Sequence, residues 1–250
     1  MTEASAAHEH ALALTEHERE RKWPNLRPRD AATLIVIDRS GAHPKVLMGR
    51  RHAGHKFMPG KFVFPGGGIE PGDRRMNVAG ALAQKVEDKL VARVTGGSPS
   101  RARAFALAAI RETFEETGLV IGAADMGRPE NPPEGKWTEF AAHEVFPNLE
   151  SLHFIARAIT PPKRPKRFDA RFFAVDAQEI AVRVEGIIGP EAELVELVWQ
   201  RLDETHKLDL PTITGVVLKE LQARIEAGFG HHLPVPFFFE KNRCWFREEL

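Results

Sequence analysis

The segment RARAFALAAIRETFEETG, residues 101–118, most constrains what this chain can fold into. Leu107, Ile110 and Phe114 recur at helical spacing, and Gly118 stands where a helix is closed, so the segment predicts an α-helix. Glu112, Glu115 and Glu116 sit at i, i+3 and i+4, which stacks three carboxylates on one face away from the apolar residues. Like charges so placed repel by roughly 0.2–0.5 kcal/mol per pair. Two readings are open: a solvated acidic face, or a face that holds a hard cation through oxygen ligands.

A second stretch bears on that choice. KFVF (61–64) predicts a short strand that runs into PGGGIEPGD, where glycine and proline exclude regular structure. Gly66, Gly67 and Gly68 there allow a close approach of backbone to a ligand, or simply a tight turn. Around these two stretches the periodicities predict strands at 32–38, 45–51, 152–160 and 168–176, the first two as a hairpin. Helices are predicted at 77–94 and 211–228, a late strand follows in PVPFFFEKN, and residues 192–202 read as either strand or helix. Strands, then helices, then strands, then a helix make a mixed α/β sandwich rather than a regular βαβ array.

Composition bounds the function. Of 250 residues, 35 are basic and 35 acidic, so the zero net charge argues against a general nucleic-acid or membrane-surface binder. One cysteine, Cys244, excludes an internal disulfide framework and reads as structural. No apolar run is long enough to span a membrane, and residues 1–29 carry acids and no secretory apolar core, so a cytoplasmic protein is expected. His8, His10, His17, His231 and His232 read as solvent-exposed. The expected organisation is an N-terminal tail over 1–29 and a single domain over 30–250.

Together the glycines and the glutamates resemble the Nudix box, G-x5-E-x7-R-E-U-x-E-E-x-G-U with U aliphatic. Gly67 matches its first glycine, and Arg111, Glu112, Glu115, Glu116, Gly118 and Leu119 match its second half. Asp73 stands where the box has its first glutamate, and Thr113 at an aliphatic position. Between Asp73 and Arg111 lie 37 residues where the box has seven, so an insertion at about 74–100 splits the motif.

The resemblance implies a Nudix-type α/β/α sandwich with a mixed sheet and a helical insertion inside the box. It implies a metal-dependent diphosphatase acting on a nucleoside diphosphate-linked substrate. Glu112, Glu115, Glu116 and a carbonyl at Gly67 would bind Mg2+, or Mn2+ in its place. Arg111 would orient a neighbouring glutamate, and Glu193 or Glu196 would supply a later acid for proton transfer.

HKFMPGKFVFPGG, the split box and LHFIARAITPPKRPKRFDARFFAVD also resemble the coenzyme A diphosphatases of the peroxisome and their bacterial relatives. That branch implies coenzyme A or acyl-CoA as substrate, with Arg51, Lys56, Gly66, Gly67 and Arg167 contacting it. An NADH or ADP-ribose diphosphatase and a non-catalytic nucleotide-binding module are the alternatives. Phe57, Phe62, Trp137 and Phe140 are candidates for an adenine clamp. The amphipathic 77–94 segment offers a cover for the substrate or a homodimer face.

Overall fold

The computed structural model describes residues 21–55 and 58–250. Lys56, Phe57, His8, His10, His17 and most of the expected tail therefore lie outside the described residues.

ATLIVID reads as a strand buried on both faces, and it lies inside β1 (Arg29–Asp38), at the centre of the sheet. Leu34 and Val36 point into one apolar layer, Ile35 and Ile37 into the other. β2 (Lys45–Arg51) forms the expected hairpin with β1, but only through Ile37↔Val46 and Asp38↔Lys45. The two strands then part. β3 (Phe62–Val63) pairs antiparallel with β2, whereas β4 (Gly66–Gly68) pairs with the free half of β1, from Ala31↔Gly68 to Thr33↔Gly66. The glycine stretch is thus a short strand, not the irregular turn its composition predicts, because β1 offers it a ladder.

The 77–94 segment is helical only as α1 (Gln84–Val91). Val78 and Leu82 still pack on the core, but the backbone before α1 bonds sideways: Ala79 N–H donates to Pro147 O and Leu149 N–H to Gly80 O. Helical periodicity there reports burial on one side, not helical hydrogen bonding. α2 (Pro99–Thr117) is the glutamate helix. Ser98 caps it, its side chain accepting from Arg101 N–H, and Gly118 ends it at φ 74°. A side chain at Gly118 would also collide with Val184 O, so glycine is required twice over.

β5 (Leu119–Ile121) follows, then α3 (Lys136–Ala141), β6 (His153–Ile159), β7 (Phe168–Asp176) and β8 (Ile180–Arg183), which pairs with β5. The undecided 192–202 stretch is a strand, β9 (Leu194–Arg201), antiparallel to β2. α4 (Thr212–Glu226) precedes the hairpin of β10 (Pro236–Lys241) and β11 (Cys244–Glu249). β11 was not anticipated; Asn242 and Arg243, both at positive φ, make its two-residue turn.

The sheet runs β11-β10-β6-β7-β1-β2-β3, with β4 on β1 and β9 on β2, and mixes parallel and antiparallel neighbours. One apolar layer joins it to α1, α2 and α3, the other to α4, which gives the expected α/β/α sandwich. Arg171, fully buried, lies 3.8 Å from the ring centre of Phe105 and helps seat α2 on the sheet.

His231 is not simply exposed. Its ring stacks on His153 at 4.2 Å and 7°. Burial, with His231 and Arg224 alongside, pushes the His153 pKa down to about 3. Cys244 is exposed at the start of β11 rather than structural. Among the described residues no helix is long and apolar enough to cross a membrane.

Candidate active site

The two halves of the split motif meet. Past β4, a 3-10 turn (Pro71–Arg74) places Asp73 in the interior with no exposure. Its carboxylate takes Arg111 Nε at 2.8 Å and Arg111 Nη2 at 3.2 Å, bridging the insertion. Arg111 also donates to Gly68 O at 2.8 Å, and Arg103, two helical turns earlier, bonds Met76 O. The insertion therefore loops out and returns without opening the site.

Arg111 is almost wholly buried. Burial works against its charge, but the hydrogen bond and attraction of Asp73, with help from Glu112 and Glu115, outweigh it and raise the pKa above the ordinary arginine value. Its Nη1 is turned to the acidic face, 3.0 Å from Glu112 Oε1 and 2.9 Å from Glu115 Oε1. Glu116 Oε2 instead accepts from Gly66 N–H at 3.1 Å. Thr113, the polar residue at an aliphatic position, is buried with its hydroxyl donating to Ala109 O, so it packs without an unmet donor.

One guanidinium does not neutralise three carboxylates. Burial first, then repulsion from Glu115 and Asp73, pushes Glu112 up to about 7 against the pull of Arg111. Burial, then Glu193 and Glu112, raises Glu116 well above the carboxylate range. Gly67 makes the crowding tolerable: a Cβ there would fall onto the Glu112 carboxylate. Clustered hard oxygen donors with unrelieved negative charge fit a divalent cation of the magnesium type. Among the described residues no three acidic, histidine or cysteine side chains yet converge on one point. One oxygen each of Glu112 and Glu115 is turned to Arg111 instead.

The site opens where β1 and β2 part. Arg51, the last residue of β2, faces α2: Leu47, two pleats earlier, lies in the same apolar layer as that helix, and Arg51 lowers Glu116. Arg51 Nη2 lies 2.5 Å from Glu193 Oε1 and 3.0 Å from His55 Nδ1, while its Nε is buried without a partner.

Of the two later acids, the structure brings only Glu193 to the cluster. Glu196 pairs with Arg50 across β2 and β9, their side chains 2.7 Å apart, on the face shared by Met48 and Val198, which is the α4 side. Glu193 lies just before β9, beyond the register shift at Arg50 and Arg51, whereas Glu196 lies within the strand. Arg167 is likewise not brought to the glutamates. It donates to Thr160 O and holds Asn25 and Leu26, fastening the segment before β1. Trp137 and Phe140 are buried, and Phe62 packs on the α4 side, so none of these three clamps an adenine at the cluster.

Sequence reasoning missed Trp137 as a partner of the motif. Its indole Nε1–H donates to Asp73 Oδ1 at 2.9 Å from 64 residues away, and no spacing rule connects the two.

The chain finds no match among protein-family models or among curated proteins. It is similar to the crystal structure of a Nudix hydrolase from Alicyclobacillus acidocaldarius, 30% identical, over 79% of this chain and 92% of that one, with a TM-score of 0.57. The chain belongs to the Nudix hydrolases, and so is a pyrophosphohydrolase. Two further fold neighbours are the Nudix hydrolase RenU from M. smegmatis and the Nudix domain of Shewanella oneidensis NrtR, the latter complexed with ADP ribose. They are 17% and 11% identical, over 81% and 90% of this chain and 88% and 99% of theirs, each with a TM-score of 0.43. At that similarity they add nothing to the assignment.

Proposed function

We propose that this Nudix hydrolase cleaves the diphosphate of coenzyme A or an acyl-CoA, releasing 3′,5′-ADP and the (acyl-)4′-phosphopantetheine. The observation that carries the hydrolytic reading is the stack of Glu112, Glu115 and Glu116 against β4, charged beyond what Arg111 offsets. The coenzyme A reading rests on the split box and on the sequence around Arg51 and around β6 and β7.

Glu112, Glu115 and Glu116, with a carbonyl of the Gly67 strand, would hold magnesium, which would supply charge neutralisation for the diphosphate and acidity for the attacking water. Every other step belongs to the chain. Arg111 keeps Glu112 and Glu115 on one side of the helix. Arg51, whose charge acts on Glu116 at the edge of the cluster, attracts a phosphate oxygen of the substrate. Glu193, held by Arg51 beside Glu116, accepts the proton of the water. The water oxygen bonds to phosphorus, the bridging P–O bond breaks, and the two products leave as phosphate monoesters.

The test is mass-spectrometric product analysis of protein and magnesium incubated with coenzyme A, NADH and ADP-ribose side by side. 3′,5′-ADP and 4′-phosphopantetheine forming fastest supports the proposal. AMP forming fastest from the other two overturns the coenzyme A assignment and leaves the Nudix chemistry.

A further inference from the structure

Asp73 is one methylene shorter than the glutamate of the family pattern, yet its carboxylate is saturated. Oδ1 accepts from Arg111 Nε and Trp137 Nε1, and Oδ2 from Arg111 Nη2 and from Glu70 N–H at 2.7 Å. Three of these donors come from the motif or the turn beside it. The fourth comes from α3, outside the motif altogether.

Trp137 is 2% exposed, and its ring leans on the backbone of the Asp73 turn: a Cβ on Gly72 would stand 3.4 Å from Trp137 Cδ1. The other side of the indole meets Phe140 edge-on at 5.3 Å, and Phe140 meets Phe114 of α2 at 5.5 Å and 86°. Phe114 directly precedes Glu115. Trp137 thus reaches the acidic face by two routes, one polar through Asp73 and Arg111, one through ring packing onto α2. With Trp137 Nε1 already 2.9 Å from Asp73 Oδ1 and both side chains buried, a carboxylate one methylene longer would press on the indole.

We propose that Trp137 is a positioning residue for the carboxylate cluster. Its N–H fixes Asp73, Asp73 fixes Nε and Nη2 of Arg111, and Nη1 of Arg111 fixes Glu112 and Glu115. Aspartate and tryptophan form one unit at the position of the box glutamate. This rests on the reading of those glutamates as the cation-binding group.

The experiment compares wild type with W137F, D73E, the double variant D73E/W137F and, as a packing control, F154L, a core position on β6. It reads Mn2+ affinity by electron paramagnetic resonance without substrate, kcat and KM on the substrate found in the product analysis, and Tm. W137F is expected to stay folded, to keep KM, and to lose about tenfold in Mn2+ affinity and in kcat, as partners behind metal ligands do. D73E loses as much. The double variant recovers to within about threefold of wild type, because phenylalanine vacates the space that glutamate needs. F154L lowers Tm without moving Mn2+ affinity. The proposal is overturned if W137F binds Mn2+ like wild type, if the two losses add in the double variant, or if F154L reproduces them. A wild type that binds Mn2+ but hydrolyses nothing sinks the proposed function alone, and the Mn2+ arm still decides the role of Trp137.

Discussion

Replacing Gly67 by alanine separates the fold from the chemistry more cleanly than removing a glutamate does. The new Cβ lands on the Glu112 carboxylate, 2.7 Å from Oε2 and nearer still to Oε1 and Cδ. Those atoms end a flexible side chain, so Glu112 turns away and the backbone stays. An off-rotamer side chain costs about 0.5–1.5 kcal/mol. The gain from a less flexible unfolded chain, about 0.4–1 kcal/mol, offsets much of that. Net stability should stay within about 1 kcal/mol, a Tm shift of roughly 2–4 °C at this size. Catalysis has no such compensation. A ligand displaced by an ångström costs on the order of 10²-fold in kcat.

Gly66→Ala is the contrasting variant. Its Cβ meets Ala32 O at 2.6 Å and Thr33 Cα at 2.7 Å, backbone of the central strand that cannot step aside. It should cost about 1–3 kcal/mol in stability. The assays are calorimetric Tm and steady-state kinetics over a magnesium titration. Wild-type kcat in Gly67→Ala, or a stability loss equal to that of Gly66→Ala, would refute the placement of Glu112 against β4.

Further expectations follow from the same geometry. Glu193→Gln should lower kcat by about 10²-fold, the usual worth of a general base, whereas Glu196→Gln on the opposite face stays near wild type; kinetics at saturating magnesium decide between them. His153 is held neutral, its folded pKa below its unfolded one, so it contributes stability that is complete above about pH 6.5 and is lost as pH falls towards 3. Its ring is partly exposed, and at pH 5 the loss should amount to about 1 kcal/mol after screening; denaturant titrations of wild type and His153→Phe across pH 7 to 5 should diverge by that much. Glu112 acts in the opposite sense: its raised pKa means that metal-free protein loses stability as pH rises from about 4.5 through 7. Magnesium should restore Tm most strongly at the alkaline end.

Much of this was legible in residue order. The apolar runs of β1, β6 and β7, the long glutamate helix and its glycine stop are local signals, and local hydrogen bonding realises them. What escaped depends on partners far along the chain. Val78 and Leu82 keep a helical rhythm while the backbone between them, at Ala79 and Gly80, pairs with Pro147 and Leu149. Glu193 and Glu196 look equivalent until strand pairing gives each a different arginine, Arg51 for Glu193 and Arg50 for Glu196. Arg167 carries the charge a phosphate would need, yet fastens the segment ahead of β1. Asp73 looked like a weakened motif because its compensating donor, Trp137, lies 64 residues beyond it.

The central claim is that Glu112, Glu115 and Glu116, gathered across a split motif, hold the cation that drives hydrolysis. Turnover by Glu116→Gln with saturating magnesium, with circular dichroism and Tm confirming the fold, tests it most directly. Turnover reduced by orders of magnitude in a folded protein is the predicted result. Near-wild-type turnover in that variant would contradict the account.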